Sequence, residues 1–306
     1  MGVVDKAGGS LHDFALAKKN VEQPAKQPTN EVVRSGTAKQ FSLDYQKLAQ
    51  EGLFHPEASS SQLALELRAV KRRLLRRVGF LRSTGERQEF RKSGRQRNLI
   101  LVTSARASEG KTYNSINLAL SLALEDQIDI LLVDADIPRP KVRSRLGLPS
   151  GPGLTNKIHD PSIDIETLVH RANQAPFSVL GEGAPVKRAT ELFAGDASTR
   201  LWTELSMGQS DGLVIIDAPP VLATTESVVL AKYVDEIVFV VEANATPEPA
   251  LASALDELLD VNPNVSLLLN RCVFGSGGSH YESYEYYDRT TDNEDNTKGK
   301  ANVRAT

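Results

Sequence analysis

A chain of 306 residues with 40% hydrophobic and 25% charged side chains has the length and apolar content for one large buried core, which excludes a mainly disordered polypeptide. No apolar run approaches the roughly 20 residues that a bilayer-spanning helix needs, and the single Cys272 excludes an internal disulfide. The net charge of −3 is small, so charge informs through its distribution and not its sum.

Residues 1–56 mix Gly, Lys, Gln, Pro and Asn with little sustained periodicity and are predicted to be mostly disordered, with short helices near 11–17 and 45–49. Their start lacks a charged-then-apolar signal pattern, and Lys6 stands where a myristoylation motif takes Ser or Thr. With the lone cysteine, this makes the cytoplasm the expected location. Residues 57–97 form a basic amphipathic segment. Its helix is predicted over about 62–78, because Leu63, Leu67, Val70, Leu74 and Val78 recur at spacings of three and four. From Arg68 to Arg97, twelve basic residues face only Glu86 and Glu89. A solvated helix face and a contact with anionic lipid or a membrane protein's tail both fit this bias. Nucleic acid fits less well and is not an expected partner: no aromatics interleave with the charges before Phe80 and Phe90.

From residue 98 to about 274, candidate strands at 99–103, 128–134, 176–180, 212–217, 236–242 and 265–270 alternate with helical stretches. Continuous apolar runs of this kind suit strands covered on both faces. The predicted fold is α/β, a doubly wound, mostly parallel sheet with helices on both faces. Ser104-Ala105-Arg106-Ala107-Ser108-Glu109-Gly110-Lys111-Thr112 follows the first strand and leads into a helix at Tyr113. A strand, a Gly-Lys-Thr turn and a helix make a phosphate loop, the mark of a P-loop NTPase. Its backbone N–H groups and helix N-terminus hold phosphates, the lysine reaches the β and γ oxygens, and the threonine hydroxyl ligates Mg²⁺. Ala105 stands where the strict motif has glycine.

Two more strands end in carboxylates, at Asp134-Ala135-Asp136 and at Asp217 before Ala218-Pro219-Pro220. These ends lie on the edge where open α/β sheets bind ligands. Lys111, Asp134, Asp136 and Asp217 are the candidate catalytic residues. Asp217 is also expected to hold the metal, and residues 104–113 to bind nucleotide, so ATP and Mg²⁺ are the expected cofactors. Asp134 and Asp136 are two apart, which sends both to one face if the strand continues. Asn270 ends the last strand, as a nucleotide contact or a strand-terminal cap. The histidines show no metal-ligand spacing. Residues 275–306 form a tail: Gly275–Ser279 reads as a linker, followed by Tyr281, Tyr284, Tyr286 and Tyr287 among carboxylates, four of the chain's seven tyrosines.

On these motifs the chain resembles the bacterial tyrosine autokinases. Residues 104–112 are similar to their phosphate loop, Asp-Ala-Asp-x-x-Arg-Pro to their second aspartate motif, Ile-Ile-Asp-Ala-Pro-Pro to their Walker B motif, and residues 281–287 to their tyrosine cluster. The resemblance covers about residues 57–290 and is nearest to stand-alone cytoplasmic members linked to exopolysaccharide and exosortase gene clusters. Ala107-Ser108 replaces a usual Pro-Gly. The resemblance implies an ATP-dependent protein-tyrosine kinase that regulates exopolysaccharide polymerisation or export. Asp134 then accepts the tyrosine proton, Asp136 assists metal or substrate placement beside Thr112 and Asp217, Asn270 reads the adenine edge, and Tyr281, Tyr284, Tyr286 and Tyr287 are phosphoacceptors. Implied partners are a membrane-spanning polysaccharide chain-length regulator, further copies in a homo-oligomeric ring, and a phosphotyrosine phosphatase, with peripheral recruitment to the inner membrane. The alternative is a switch ATPase of the partitioning or cell-division-site type, which binds membrane or DNA. Such proteins carry a second lysine early in the loop, where this chain has only Arg106, and generally lack a tyrosine-rich tail.

Overall fold

The structure is a computed structural model that describes residues 38–79, 97–125, 128–209 and 212–272. In chain order these form β1 (Lys39–Phe41), α1 (Tyr45–Gln50), α2 (Gln62–Arg77), β2 (Leu99–Ser104), α3 (Lys111–Leu122), β3 (Asp129–Asp134), α4 (Val142–Leu146), α5 (Leu154–His159), β4 (Val169–Ala172) and β5 (Phe177–Leu180). Then come α6 (Ala189–Ala194), α7 (Asp196–Gly208), β6 (Gly212–Asp217), α8 (Glu226–Ala231), β7 (Glu236–Glu242), α9 (Glu248–Leu259) and β8 (Val265–Asn270). Each of the six expected core strands is present within a residue or so of its predicted bounds.

The strands make one eight-stranded sheet in the order β1-β4-β5-β3-β6-β2-β7-β8. All pairings are parallel except β4 with β5, so β1 and β4 run against the rest at one edge. Alternation along the central strands feeds two cores. Ile100 and Val102 of β2, with Ile130 and Leu132 of β3, enter the core beneath α2 and α3. Leu99, Leu101, Leu131 and Val133 enter the core on the opposite face, with Trp202 of α7 and Leu230 of α8. A sheet covered on both faces cannot alternate apolar with polar, which is why these strands read as unbroken apolar runs.

Register brings the ligand edge together. Asp134 of β3 pairs directly with Asp217 of β6, and Asp217 also pairs with Val102 of β2. The strand that leads into the Gly-Lys-Thr turn therefore lies beside the strand that ends at Asp217, which lies beside the strand of the two aspartates.

Two expectations about the flanking segments need correction. Residues 38–56 are ordered: β1 pairs with β4, and Leu48, Leu53 and Phe54 are buried in the α3-side core. The helix expected near 45–49 is α1, which buries Leu48, while Leu53 and Phe54 follow it in a loop, where no periodicity could reveal them. The helix at 62–78 forms as expected, with Ser61 as its N-cap accepting from Ala64 N–H. It is, however, part of the domain and not a segment apart. Its Leu67, Leu74 and Leu75 are buried against the core, and so is Lys71, whose ammonium donates to the Ser121 carbonyl at 2.9 Å and pairs with Glu125 at 2.6 Å. Lys71 therefore leaves the solvated basic face. The helix at 11–17, most of the basic run past residue 79, the linker and the tyrosine cluster lie outside the described residues.

Candidate functional site

Gly110 is the hinge of the site. It caps α3 with φ +97, and a Cβ there would lie 2.0 Å from Asn270 Nδ2, so both conformation and space require glycine. Ser108 also takes a left-handed φ of 72. That conformation costs a non-glycine residue about 1–2 kcal/mol, so the loop is held in shape by its surroundings.

Beyond Gly110, the first turn of α3 aims at the aspartates. Lys111 Nζ pairs with the Asp136 carboxylate, with both side chains buried. Thr112 Oγ1 donates to Asp217 Oδ2 at 2.7 Å. Ser115 Oγ lies 2.9 Å from both Asp217 Oδ1 and the Lys111 carbonyl, which share its one proton. Ser115 was not foreseen, yet it lies four residues after Lys111 and three after Thr112, on the same helix face. The strand ends at Asp134, but Asp136 still reaches the common face because a turn starts there: Arg139 N–H donates to Asp136 Oδ1 at 3.1 Å. Ala135 between them is buried in the opposite core.

The Asp134 carboxylate is tied to the backbone. Oδ2 accepts from the N–H groups of Lys141 at 3.0 Å and Val142 at 2.9 Å, and Oδ1 accepts from Asp136 N–H at 3.2 Å. Burial, with the neighbouring Asp217 charge, pushes Asp134 up to about 8 in spite of the Val142 N–H bond. Asp217 is likewise raised by burial, against the pull of Lys111 and of its hydroxyl donors. For Lys111 burial acts downward, but the Asp217 and Asp136 carboxylates outweigh it and hold the ammonium above its ordinary pKa. One fixed cation among three carboxylates suits a polyanion that arrives with its own countercation.

The remaining loop residues divide by direction. Ser104 Oγ donates to the Arg106 carbonyl at 2.8 Å, and Ala105 is buried in the core. Arg106, Ala107 and Ser108 are exposed at the mouth. Glu109 is turned inward, its carboxylate accepting Arg106 N–H at 2.8 Å. Tyr113 points away: its hydroxyl donates to the Gly52 carbonyl at 2.8 Å, so its side chain joins the N-terminal segment and not the loop. Asn270 does come to the loop, where Nδ2 donates to the Glu109 carbonyl at 2.9 Å.

Thr112 Oγ1 and Asp217 are hard oxygen donors, the kind Mg²⁺ takes. Among the described residues no group of three or more His, Cys, Asp or Glu side chains makes a metal cage. That suits an ion which takes one or two protein oxygens and completes its shell with water and phosphate.

No protein-family model matches the chain. Over 205 residues it is 30% identical to the tyrosine-protein kinase YwqD of Bacillus subtilis, a match that takes in 67% of this chain and 83% of that protein. The tyrosine-protein kinase ptk of Acinetobacter johnsonii is 30% identical over 156 residues, which are 51% of this chain but only 21% of that longer protein. Among solved structures, the VpsO kinase domain superposes with a TM-score of 0.54 at 29% identity, over 62% of this chain and 92% of that one. With its phosphate loop and paired strand-end aspartates in a nucleotide-binding P-loop fold, the chain belongs to the bacterial tyrosine-protein kinases.

Proposed function

We propose that the chain transfers the γ-phosphoryl group of ATP to tyrosine hydroxyls, with Tyr281, Tyr284, Tyr286 and Tyr287 of its own tail as the first acceptors. The observation that carries this reading is the convergence of Lys111, Thr112, Asp134, Asp136 and Asp217 at one sheet edge. Phosphoryl transfer needs positioning and charge neutralisation more than covalent chemistry. The loop N–H groups and Lys111 bind the β and γ phosphates. Thr112 Oγ1 and Asp217, with Asp136 beside them, would hold Mg²⁺, which when bound neutralises phosphate oxygens. Asp134 Oδ1 accepts one long backbone bond, which leaves the ionised form of the carboxylate lone-pair capacity to take the tyrosine proton as the bond to phosphorus forms. Asn270 has its donor committed to the Glu109 carbonyl, which leaves Oδ1 to accept from an exocyclic amino group such as that of adenine.

The same resemblance supports a role in exopolysaccharide polymerisation or export, in a ring of copies recruited to the inner membrane by a membrane-spanning chain-length regulator and reversed by a phosphotyrosine phosphatase. No helix among the described residues is long and apolar enough to cross a membrane, so that recruitment is assigned to a partner. The test is to incubate the purified chain with Mg-ATP and map phosphorylated residues by mass spectrometry. Phosphotyrosine concentrated in 281–287, and lost when those four are replaced by Phe, supports the reading. ATP hydrolysis without phosphotyrosine supports the switch-ATPase alternative instead.

A further inference from the structure

Glu109 lies in the phosphate loop, yet its side chain is withdrawn from the mouth and the residue is only 3% exposed. One carboxylate oxygen accepts Arg106 N–H at 2.8 Å, closing the loop across Ala107 and Ser108. The other accepts the Thr246 hydroxyl at 2.7 Å. Thr246 is itself fixed in the turn between β7 and α9: its oxygen accepts Glu242 N–H at 3.0 Å and its own N–H donates to the Glu242 carbonyl at 3.1 Å. The Glu109 carbonyl accepts Asn270 Nδ2 at 2.9 Å, at the end of β8. A single residue is thereby pinned to its own loop, to the turn after β7 and to the last strand.

The position matters because Ser108 and Gly110 on either side both have positive φ, 72 and 97. Left-handed residues alternating with right-handed ones are the kind of backbone that can present successive N–H groups to an anion. A serine does not hold such a conformation unaided. The Glu109 carboxylate supplies the bond that closes the loop across Ser108, and Thr246 holds its other oxygen. A charged acceptor shared between an amide and a hydroxyl in a buried site makes stronger bonds than a neutral one.

We propose that Thr246 and Glu109 form a positioning pair that holds the phosphate loop in its anion-receiving shape, Thr246 acting through Glu109 without touching nucleotide. This deepens the nucleotide-binding reading and rests on it. The test uses the full chain and titrates Mg-ATP against a fluorescent ATP analogue, with thermal melting alongside. Thr246→Val keeps the side-chain shape but removes the hydroxyl, and should weaken Mg-ATP binding about tenfold, the effect of one lost charge-assisted hydrogen bond. Thr246→Ser, which restores the hydroxyl, should bind within about twofold of wild type. Glu109→Ala should weaken binding at least as much. The Glu109→Ala, Thr246→Val double variant should lose no more than Glu109→Ala alone, because both changes break the same bond. Wild-type affinity in Thr246→Val, equal losses in Thr246→Ser and Thr246→Val, or losses that multiply in the double variant would each overturn the pair. If Thr246→Val does not fold, the comparison of Thr246→Ser with Glu109→Ala carries the test: a serine variant as weak as the alanine variant overturns it. A wild-type chain that binds no Mg-ATP overturns the nucleotide reading itself and is seen before any variant is made.

Discussion

Lys111 and Asp134 bear on stability as well as on the proposed chemistry. The Lys111 ammonium is buried and paired with Asp136, so it is part of the folded state as well as of the proposed phosphate site. Lys111→Ala should therefore abolish tyrosine phosphorylation, by about 10²-fold or more for the loss of a preorganised charge. It should also destabilise the chain by about 3–5 kcal/mol, since it leaves a buried carboxylate unpaired. Urea unfolding and phosphotyrosine blotting read the two effects separately, and undiminished phosphotyrosine would remove Lys111 from the site. Asp134 carries the opposite sign. Its carboxyl is raised to about 8 by burial and by Asp217, against about 3.9 in an unfolded chain. Between those values the folded state holds a proton that the unfolded state has released, so this group's contribution to stability falls as pH rises from about 4 to 8. Asp134→Asn removes that titration while setting an amide against the backbone donors of residues 136, 141 and 142, a cost that does not vary with pH. The difference in unfolding free energy between variant and wild type should thus move in the variant's favour by on the order of 1–3 kcal/mol between pH 5 and pH 8. The variant should bind ATP but lose transfer. A difference flat with pH would show that Asp134 is ionised in the fold throughout.

At the scale of elements, α2 shows how charge on a helix can mislead. Its basic side chains suggest a solvated or partner-facing surface, but Lys71 is buried and joined to Ser121 and Glu125 of the α3 region. Reversing it to Glu sets like charges together in a buried place and should cost about 3–5 kcal/mol. Arg68→Glu, on an exposed position that donates to the Ser59 carbonyl at 3.3 Å, should cost less than about 1 kcal/mol. Equal melting temperatures for the two variants would contradict the docking of α2. The same contrast explains what the sequence could and could not reveal. Strands such as β2 and β6 were legible because burial on both faces leaves unbroken apolar runs, and Asp134 and Asp217 because a carboxylate ends each run. Gly110 and Lys111 announced the loop. By contrast β1, the edge strand, and β4 beside it are three and four residues long with mixed side chains, too short to show a period. The inward turn of Glu109 and the outward turn of Tyr113 depend on partners 137 and 61 residues away in the chain, which no local pattern encodes.

For the molecule as a whole, the segment from residue 38 to 58 acts as a strap across the elements that carry the site. β1 extends the sheet beyond β4, and Leu43 N–H donates to Gln174 Oε1 at 3.0 Å. From α1, Lys47 donates to the Ser144 carbonyl at 3.1 Å and Glu51 pairs with Arg145, so the strap grips the helix that follows the two aspartates. Further along, Tyr113 donates to the Gly52 carbonyl at 2.8 Å and Phe54 N–H donates to Asn117 Oδ1 at 2.6 Å, which grips the helix that opens at the phosphate loop. Removing the strap would bare the pockets of Leu48, Leu53 and Phe54, each worth about 1.5–3 kcal/mol of burial. It would also orphan Asn117 and free both site helices. That sum is a large part of the 5–15 kcal/mol that holds a typical domain folded. A chain beginning at residue 38 keeps every one of these contacts and serves as the reference. A chain beginning at residue 59 should melt at least about 10 °C lower, since each kcal/mol is about 2–4 °C in a domain of this size. Its phosphotyrosine yield should fall even at temperatures where it stays folded. If the two truncations melt and phosphorylate alike, the strap is ornamental to the fold, and the geometry of α3 and α4 is set by the sheet alone.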